Sequence, residues 1–163
     1  MARGMSRIEL TTEIRAPIER CFDLARSIDL HLASGEATRE RAVAGVTRGL
    51  IALGEQVTWR ARHFGIYFRL TSRITDLERP AFFRDRMVEG PFTSFEHDHA
   101  FESTGGVTLM HDDLRFAAPL GPLGRLADAL LLRRHLRRFI TERNATIKRV
   151  AETSGEWRRY LGS

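Results

Sequence analysis

Cysteine and long apolar runs are the two features that this sequence lacks most clearly. Of its 163 residues only Cys21 is a cysteine, which excludes an internal disulfide framework or a zinc site made of several thiolates and favours a reducing, cytoplasmic location. Cys21 lies on the apolar stripe of a predicted helix, so inert packing is a better interpretation than reactivity. No apolar run approaches the roughly 18 residues that a membrane-spanning helix needs. The first residues also lack the apolar centre of a secretion signal, and we expect residues 1–6 to form a flexible leader.

Acidic residues are too few to balance the basic ones, and the imbalance is uneven. The net charge is +5 at pH 7. Basic residues crowd the end of the chain, namely Arg133, Arg134, Arg137, Arg138, Arg143, Lys148, Arg149, Arg158 and Arg159. The simpler interpretation is the solvated face of a long helix, and the alternative is attraction to an anionic membrane surface or an acidic partner. Nucleic acid is not expected as a partner, because no binding motif and no interleaved aromatic residues accompany the charge.

Two consecutive segments near the middle of the chain carry the most informative pattern. At a period of two, one face of the first segment presents Phe95, His97, His99 and Phe101. The opposite face is mainly acidic, and because carboxylates favour water we predict that the Phe/His face points inward. Gly105 and Gly106 then predict a tight hairpin to a second strand over residues 107–116.

This hairpin sets a register between the two strands. The predicted pairs are Phe101 with Met110, His99 with Asp112, His97 with Leu114, and Phe95 with Phe116. Two imidazoles and a carboxylate then lie in the middle of an apolar face. Because unpaired buried polar groups cost ~2–7 kcal/mol, this placement indicates a function rather than folding alone. The same register puts Asp98 opposite Asp113 on the outer face, which is a mildly unfavourable like-charge pair.

The rest of the pattern predicts a mixed α+β order. A strand over residues 7–15 is followed by a helix that begins at Pro17 and by a second short helix capped by Ser27. His31 in this second helix is expected to be a partly exposed structural histidine. Further strands are predicted over residues 37–46, 54–63, 66–74 and 82–88. The tight turns between these strands make the sheet antiparallel.

Inward-facing residues can be assigned on most of these strands. The turn near residue 64 pairs Trp59 with Leu70 and Ala61 with Phe68, and His63 shares their side. The strand over residues 82–88 is ambiguous, and the favoured inward set is Phe83, Asp85 and Met87. The alternative set would bury two arginines, which costs more than burying one carboxylate near histidines.

The apolar residues of the final helix do not form a single stripe. At about 100° per residue, the leucines of residues 123–131, Leu130 among them, cluster on one side, and those from Leu132 to Val150 cluster on nearly the opposite side. Residues 123–131 are therefore a candidate lid or pocket mouth, with ordinary burial on both sides as the alternative. Residues 154–163 have no clear period and are expected to form a loose tail.

Only this last helix is long enough to cover the inner face of the sheet. We therefore predict a single α+β domain over residues 7–153. Six to seven antiparallel strands would wrap around the long C-terminal helix, two short helices would follow the first strand, and a cavity would lie between sheet and helix.

Several stretches resemble the helix-grip superfamily of START-like lipid carriers, polyketide cyclases/dehydrases and pollen-allergen-like ligand binders. They are residues 16–25, 29–32, 57–65, 90–92 with the His97-x-His99 pair, and 119–124. The sequence is most similar to the bacterial branch called SRPBCC ligand-binding proteins, and the likeness runs from about residue 7 to residue 150. It implies the helix-grip fold, whereas the superfamily hosts transport, cyclisation, hydrolysis and binding alike. This branch commonly has Gln at the position of Met87, which implies a more apolar pocket here.

The resemblance and the inward residues together favour a carrier or sensor of a small apolar ligand that is aromatic or polyketide-, lipid- or quinone-like. The expected ligand-binding residues are Trp59, His63, Phe68, Leu70, Asp85, Met87, Phe95, His97, His99, Phe101, Met110, Asp112, Phe116 and Leu130. Trp59 would stack on the ligand, while His97, His99 and Asp112 would hydrogen-bond its carbonyl or hydroxyl group. No cofactor is expected, and the chain is expected to be a monomer or a homodimer.

Two alternatives stay open. In a cyclase or dehydratase, His99 held by Asp112 would act as the general base beside a carbonyl, since the carboxylate fixes the tautomer and raises the basicity of the imidazole. In a metal site, His97 and His99 would be completed by Asp112, Asp85 or His63. Because this fold rarely uses its cavity for a metal, none is expected.

Overall fold

The computed structural model describes residues 5–35, 39–118 and 125–162, with residues 125–129 by their backbone alone. Its elements in chain order are β1 (Ser6–Ile14), α1 (Ile18–Ala25), α2 (Ile28–Ser34), β2 (Arg41–Gly45), β3 (Gln56–His63), β4 (Ile66–Glu78), β5 (Phe82–Glu89), β6 (Ser94–Thr104), β7 (Val107–Ala117), α3 (Arg125–Glu152) and α4 (Arg158–Leu161). The strands form one seven-stranded antiparallel sheet in the order β1-β7-β6-β5-β4-β3-β2. The predicted α+β helix-grip fold is confirmed.

The β6–β7 hairpin has the predicted register. Gly105 and Gly106 form its two-residue turn with positive φ angles of 59° and 84°, a conformation that glycine adopts without steric cost. The predicted pairs are all present, namely Phe101 with Met110, His99 with Asp112, His97 with Leu114, and Phe95 with Phe116. The two histidines and the carboxylate therefore lie on the inner face of adjacent strands.

The like-charge pair on the outer face of this hairpin is also present, and neighbouring arginines neutralise it. Asp98 lies opposite Asp113. Arg115 donates a 2.6 Å hydrogen bond to Asp98 and Arg84 donates a second one, while Arg7 donates to Asp113 at 2.8 Å. The guanidinium of Arg84 thereby lowers the pKa of the Asp98 carboxyl, despite the opposing effect of burial. The acidic outer face is thus tied to β1, β5 and β7 rather than left to repel.

The other predicted strand faces follow the same pattern. Trp59 lies opposite Leu70 and Ala61 lies opposite Phe68. On β5 the favoured inward residues Phe83 and Asp85 pair with His99 and His97. The short helices also form as predicted, and the side chain of Ser27 caps α2 by accepting from the backbone N–H of Leu30 at 3.3 Å.

Helix α3 packs against β1, α1 and α2 and covers the inner face of the sheet. Its predicted core stripe is buried, as seen at Leu136, Ile140, Ile147 and Val150. Leu130 and Leu131 lie at the start of the helix and are 70% and 55% exposed. Most of the predicted lid segment, residues 123–129, lies outside the described side chains.

The solid part of the core lies where α1 meets the sheet. The ring of Phe22 contacts those of Phe83 and Phe101 at centroid distances of 5.5 Å and 5.4 Å, and Met110 is fully buried in the same cluster. Residues 154–162, for which the sequence predicts a loose tail, contain α4, and Trp157 packs there under the guanidinium of Arg20 at 4.5 Å. Large side chains therefore fill the space between α1 and this part of the sheet.

Candidate ligand-binding cavity

A cavity of about 640 Å³ lies between the inner face of the sheet and helix α3. Its lining is mainly apolar. The sheet contributes Val57, Trp59, Ala61, Phe68, Leu70, Ile74, Phe83, Phe95 and Leu114, and α3 contributes Leu131, Leu132, Leu136, Phe139 and Ile140. The sheet and α3 therefore do not pack directly against each other at this point, and Ala25 at the end of α1 also borders the space.

A ring of polar groups interrupts the apolar lining at one corner of the cavity. Asp85, His97 and Arg143 line this corner, and Asp112 lies behind it, 3% exposed. The Oδ1 atom of Asp112 accepts from His97 Nε2 at 2.9 Å and lies 3.1 Å from His99 Nδ1. This one carboxylate therefore holds both histidine rings of β6 in place. We call Asp85, His97, His99 and Asp112 the polar cluster.

Helix α3 and β5 complete the hydrogen bonds of the polar cluster. Asn144 donates from Nδ2 to Asp112 Oδ2 at 2.6 Å. His99 Nε2 lies 3.1 Å from Asp85 Oδ2, and its ring stacks on Phe83 at a centroid distance of 4.1 Å. Since a carboxylate only accepts, Nε2 of His99 donates to Asp85, while Nδ1 lies beside the Asp112 carboxylate, which stabilises a proton on that nitrogen.

The surroundings of His97 and His99 shift their pKa values in opposite directions. Burial opposes the charge on His99, but its hydrogen bonds to Asp112 and Asp85 outweigh that effect and raise its pKa. Burial and the neighbouring His99 lower the pKa of His97. The pKa of Asp112 is held well below its usual range, because its bonds to the two histidines overcome the cost of burial. At neutral pH the polar cluster thus contains two carboxylates and a neutral His97, and His99 holds its proton more tightly than an ordinary histidine does.

His97 is consequently the histidine that is available to a ligand. Its Nε2–H donates to Asp112, so the neutral ring keeps Nδ1 as its acceptor nitrogen. His97 lines the cavity, whereas His99 does not. The sequence places the base of the enzyme alternative at His99, whereas the histidine of β6 that lines the cavity is His97.

The entrance side of the cavity carries a second pair of histidines. His63 Nδ1 and His135 Nε2 lie 2.8 Å apart and link the end of β3 to α3. Burial lowers the pKa of both groups, and the proximity of His135 adds to the shift at His63. Phe64 contacts the ring of His135 at 4.7 Å and is 57% exposed. This pair connects sheet and helix beside the exposed Leu131.

Trp59 and His31 form an aromatic wall of the cavity. Their rings stack at a centroid distance of 4.1 Å, and Glu40 Oε2 lies 2.9 Å from His31 Nε2. The sequence predicts an ordinary, partly exposed helix histidine at His31. Nothing in its local pattern marks it as a cavity residue, because its partner Trp59 is on a distant strand.

The predicted ligand-binding residues divide into two groups in the structure. Those that line the cavity are Trp59, His63, Phe68, Leu70, Asp85, Phe95 and His97. Those outside the lining are Met87, His99, Phe101, Met110, Asp112, Phe116 and Leu130. Phe101, Met110 and Phe116 are buried in solid core, His99 and Asp112 support the polar cluster from behind, and Leu130 is largely exposed.

Two of the polar residues that the sequence argument missed are neighbours on α3. Arg143 and Asn144 are 9% and 3% exposed, although Arg143 belongs to the basic run for which the sequence predicts a solvated face. Arg133, Arg134, Arg137 and Arg138 of that run are exposed as predicted. On a helical projection Arg143 lies on the same face as Ile140 and Ile147, and this position is the feature of the sequence that indicates its burial.

The polar cluster also offers metal-ligand atoms. Asp85, His97 and His99 each present one donor atom, and these atoms lie within 4.8 Å of one another. A divalent cation would have to displace the proton that His99 shares with its carboxylates. One carboxylate and two imidazoles are suitable ligands for a divalent cation. In the absence of a cation, His99 Nε2 and Asp85 Oδ2 form a hydrogen bond with each other.

The fold and the cavity together define a helix-grip protein with an internal, mainly apolar space. The chain belongs to the polyketide cyclase/dehydrase and lipid transport family, whose model matches residues 5–152. No curated protein sequence matches it. None of the described helices is long and apolar enough to cross a membrane.

Solved structures agree with this assignment at the level of the fold. The protein TTHA0849 from Thermus thermophilus is similar with a TM-score of 0.69 at 16% identity, covering 87% of this chain and 97% of that one. The major latex-like protein 151 of Panax ginseng gives 0.66 at 13% identity, covering 91% and 99%. The Zhui aromatase/cyclase of Streptomyces sp. R1128 gives 0.60 at 17% identity, covering 97% of each chain.

Proposed function

We propose that this protein binds one small, largely apolar molecule, aromatic or lipid-like, in the cavity under α3 and carries or senses it. The observation that supports this most is a space of about 640 Å³ with a mainly apolar lining and a polar corner at Asp85, His97 and Arg143. Its size falls in the roughly 300–1,000 Å³ range of small-molecule sites. An aromatic ligand fits the wall made by Trp59, since offset ring stacking adds to the apolar area buried.

The polar cluster supports binding of a ligand with one polar end. Asp85 and His97 both accept hydrogen bonds at the cavity surface, the first through its carboxylate and the second through Nδ1. A hydroxyl group of the ligand would donate to either one. The rest of the molecule would lie against the apolar residues of β3, β4 and α3.

Organic extraction of the purified protein followed by mass spectrometry tests this proposal. We expect an apolar compound near one per chain, and we expect it to be lost in Ala61→Phe, because Ala61 lines the cavity and is 6% exposed. Ala44→Phe, on the exposed β2, is the matched control and should retain it. A wild-type protein that carries no compound and binds no small aromatic probe would contradict the proposal.

A second candidate function is favoured by the neutral His97 backed by Asp112. In a dehydratase, Nδ1 of His97 would remove a proton from the carbon beside a ligand carbonyl. The electron pair of that C–H bond would form a C=C bond as hydroxide leaves the next carbon, and the imidazolium would return its proton so that water is released. The same base could begin a cyclisation by forming an enolate.

Turnover of a β-hydroxy ketone with an aromatic group separates the two functions. An enzyme would lose at least about 100-fold of its rate in His97→Gln, in line with typical contributions of a general base, while binding of the ketone would be kept. His111→Gln, an exposed-side histidine that bonds Thr11, is the matched control. Absence of turnover in the wild type, with the ketone bound, would leave carriage as the function.

We also propose that the cavity entrance contacts an anionic membrane surface from which the ligand is taken up. Phe64, Leu130 and Leu131 expose between 55% and 70% of their surface at this end. Arg133 and Arg134 follow directly on α3 and are exposed. Apolar side chains ringed by cations suit a layer of lipids with anionic head groups.

A further inference from the structure

We propose that Arg143 is the anchor for an uncharged carbonyl oxygen of the ligand, so that the cavity selects aromatic ketones over hydrocarbons and over carboxylates of the same shape. This inference rests on the proposed binding function and names the group that the polar corner recognises. It gives a ligand-contacting role to a residue of the basic run on α3.

Arg143 is a buried cation at the surface of the cavity. It is 9% exposed and lines the cavity together with Asp85 and His97. Its Nη2 donates to the carbonyl oxygen of Ala25 at 2.6 Å, at the end of α1. This bond fixes the direction of the guanidinium plane, which carries five N–H donors in a rigid arrangement.

The hydrogen-bonding capacity of Arg143 is only partly used. Within the described parts of the chain its only hydrogen bond is the one from Nη2 to Ala25, so Nη1 has no acceptor, and the fully buried Nε has none either. Among the described residues, no carboxylate forms an ion pair with its guanidinium, whereas Arg26, at the same cavity, is paired with Asp23 at 2.8 Å. Buried charges in proteins are normally paired and hydrogen-bonded, so a cavity-lining guanidinium in this state is suited to an acceptor from the ligand.

The charges around Arg143 favour an uncharged acceptor over an anion. Carboxylates already lie near the cation of Arg143, because Asp85 lines the same corner of the cavity and the buried Asp112 lies behind it. Glu40 adds another carboxylate to the cavity lining. A ligand carboxylate would therefore bring an unbalanced buried charge close to Asp85, at a large desolvation cost. A ketone oxygen accepts the same hydrogen bond and leaves the balance unchanged.

Three naphthalene probes of matched shape test this by equilibrium dialysis at pH 7.5. They are 2-acetylnaphthalene, 2-isopropenylnaphthalene, which replaces the carbonyl oxygen by a methylene group, and 2-naphthoate, which is an anion. We expect the ketone to bind at least about tenfold more tightly than either of the others, as a hydrogen bond to a charged donor allows. Equal binding of ketone and alkene, or tighter binding of 2-naphthoate, would overturn the inference.

The variant Arg143→Met removes the donors while keeping an apolar side chain of similar reach. It should bind the alkene as the wild type does and lose the preference for the ketone. Arg137→Met, on the exposed face of α3, is the matched control and should keep the preference. A preference for the ketone that survives in Arg143→Met would overturn the inference. If that variant does not fold, the comparison of ketone and alkene binding to the wild type tests the inference by itself.

The probes also separate failure of this inference from failure of the proposed function. If ketone and alkene bind the wild type equally, the apolar cavity binds ligands and only the role of Arg143 is wrong. If neither the ketone nor the alkene binds, the proposed binding function fails and the inference fails with it.

Discussion

Asp112 is the residue on which the geometry of the polar cluster depends. It accepts from His97 through Oδ1, which also lies 3.1 Å from His99 Nδ1, and from Asn144 through Oδ2. It therefore joins β6 to α3 across the back of the cavity. Because each of these donors is buried, losing the carboxylate leaves several polar groups without an acceptor at once.

Replacing this carboxylate should destabilise the protein strongly. We expect Asp112→Asn to lower the free energy of unfolding by about 3 kcal/mol or more, the usual result of removing one partner from a buried charge pair. Asp113→Asn is the matched control, since Asp113 lies on the outer face and pairs with Arg7, and it should cost less than about 1 kcal/mol. Equal losses in the two variants, measured by urea unfolding at pH 7, would contradict the role assigned to Asp112.

The two histidines of β6 should titrate on opposite sides of the ordinary histidine value. Carboxylate partners raise the pKa of His99 above 6.5, whereas burial and His99 lower that of His97. The charged form of His99 therefore stabilises the fold below pH 6.5, and this contribution is lost as the pH rises through its raised pKa. For His97 the sign is opposite, and stability is lost as the pH falls below 6.5. Two-dimensional NMR of the imidazole nitrogens would show this order, and a higher pKa at His97 than at His99 would refute it.

For single residues, the alternation of polar and apolar side chains predicts which face of a strand each one lies on. It does not predict whether that side chain lines a cavity or lies in solid core, because this depends on tertiary packing. His97, His99 and Asp112 were placed correctly because a period of two and a glycine turn determine a register. Phe101 and Met110 share that face but lie in solid core, since Phe22 of α1 fills the space above them. The residue pattern of a strand does not indicate where along the strand a helix will pack against it.

At the scale of elements, α3 contains residues of three kinds, which alternate along its sequence. Leu136 and Ile140 face the sheet, Arg143 and Asn144 face the polar corner, and Arg133 belongs to the exposed basic face. A hydrophobicity pattern identifies the first set and the last set. The buried polar positions cannot be told from the solvated ones without the sheet, which is why the sequence assigned Arg143 to solvent.

The basic end of α3 should control binding to membranes. We expect Arg133→Glu with Arg134→Glu to weaken co-sedimentation with phosphatidylglycerol vesicles at least tenfold, because each basic residue near such a surface contributes about 1 kcal/mol. Arg158→Glu with Arg159→Glu, both exposed on α4, changes the charge by the same amount and should have little effect. Unchanged binding in the double variant, or equal binding to neutral phosphatidylcholine vesicles, would contradict a membrane role for this end.

At the scale of the whole molecule, the inner face of the sheet has a solid part and a hollow part. Phe22, Phe83 and Phe101 fill the part under α1, and Phe83 also borders the cavity that the sheet and α3 line together. The strand order and the long covering helix were predictable, because tight turns and one dominant helix allow few other arrangements. The volume of the cavity was not predictable, since it depends on the distance between the sheet and α3.

The two tryptophans of the chain provide the most direct test of the cavity as the binding site. Trp59 lines the cavity, and Trp157 lies outside the lining under Arg20. In ¹⁵N-labelled protein, saturating 2-acetylnaphthalene should shift the indole N–H signal of Trp59 and leave that of Trp157 in place. A shift of the Trp157 signal alone, or no shift of either signal, would contradict the account.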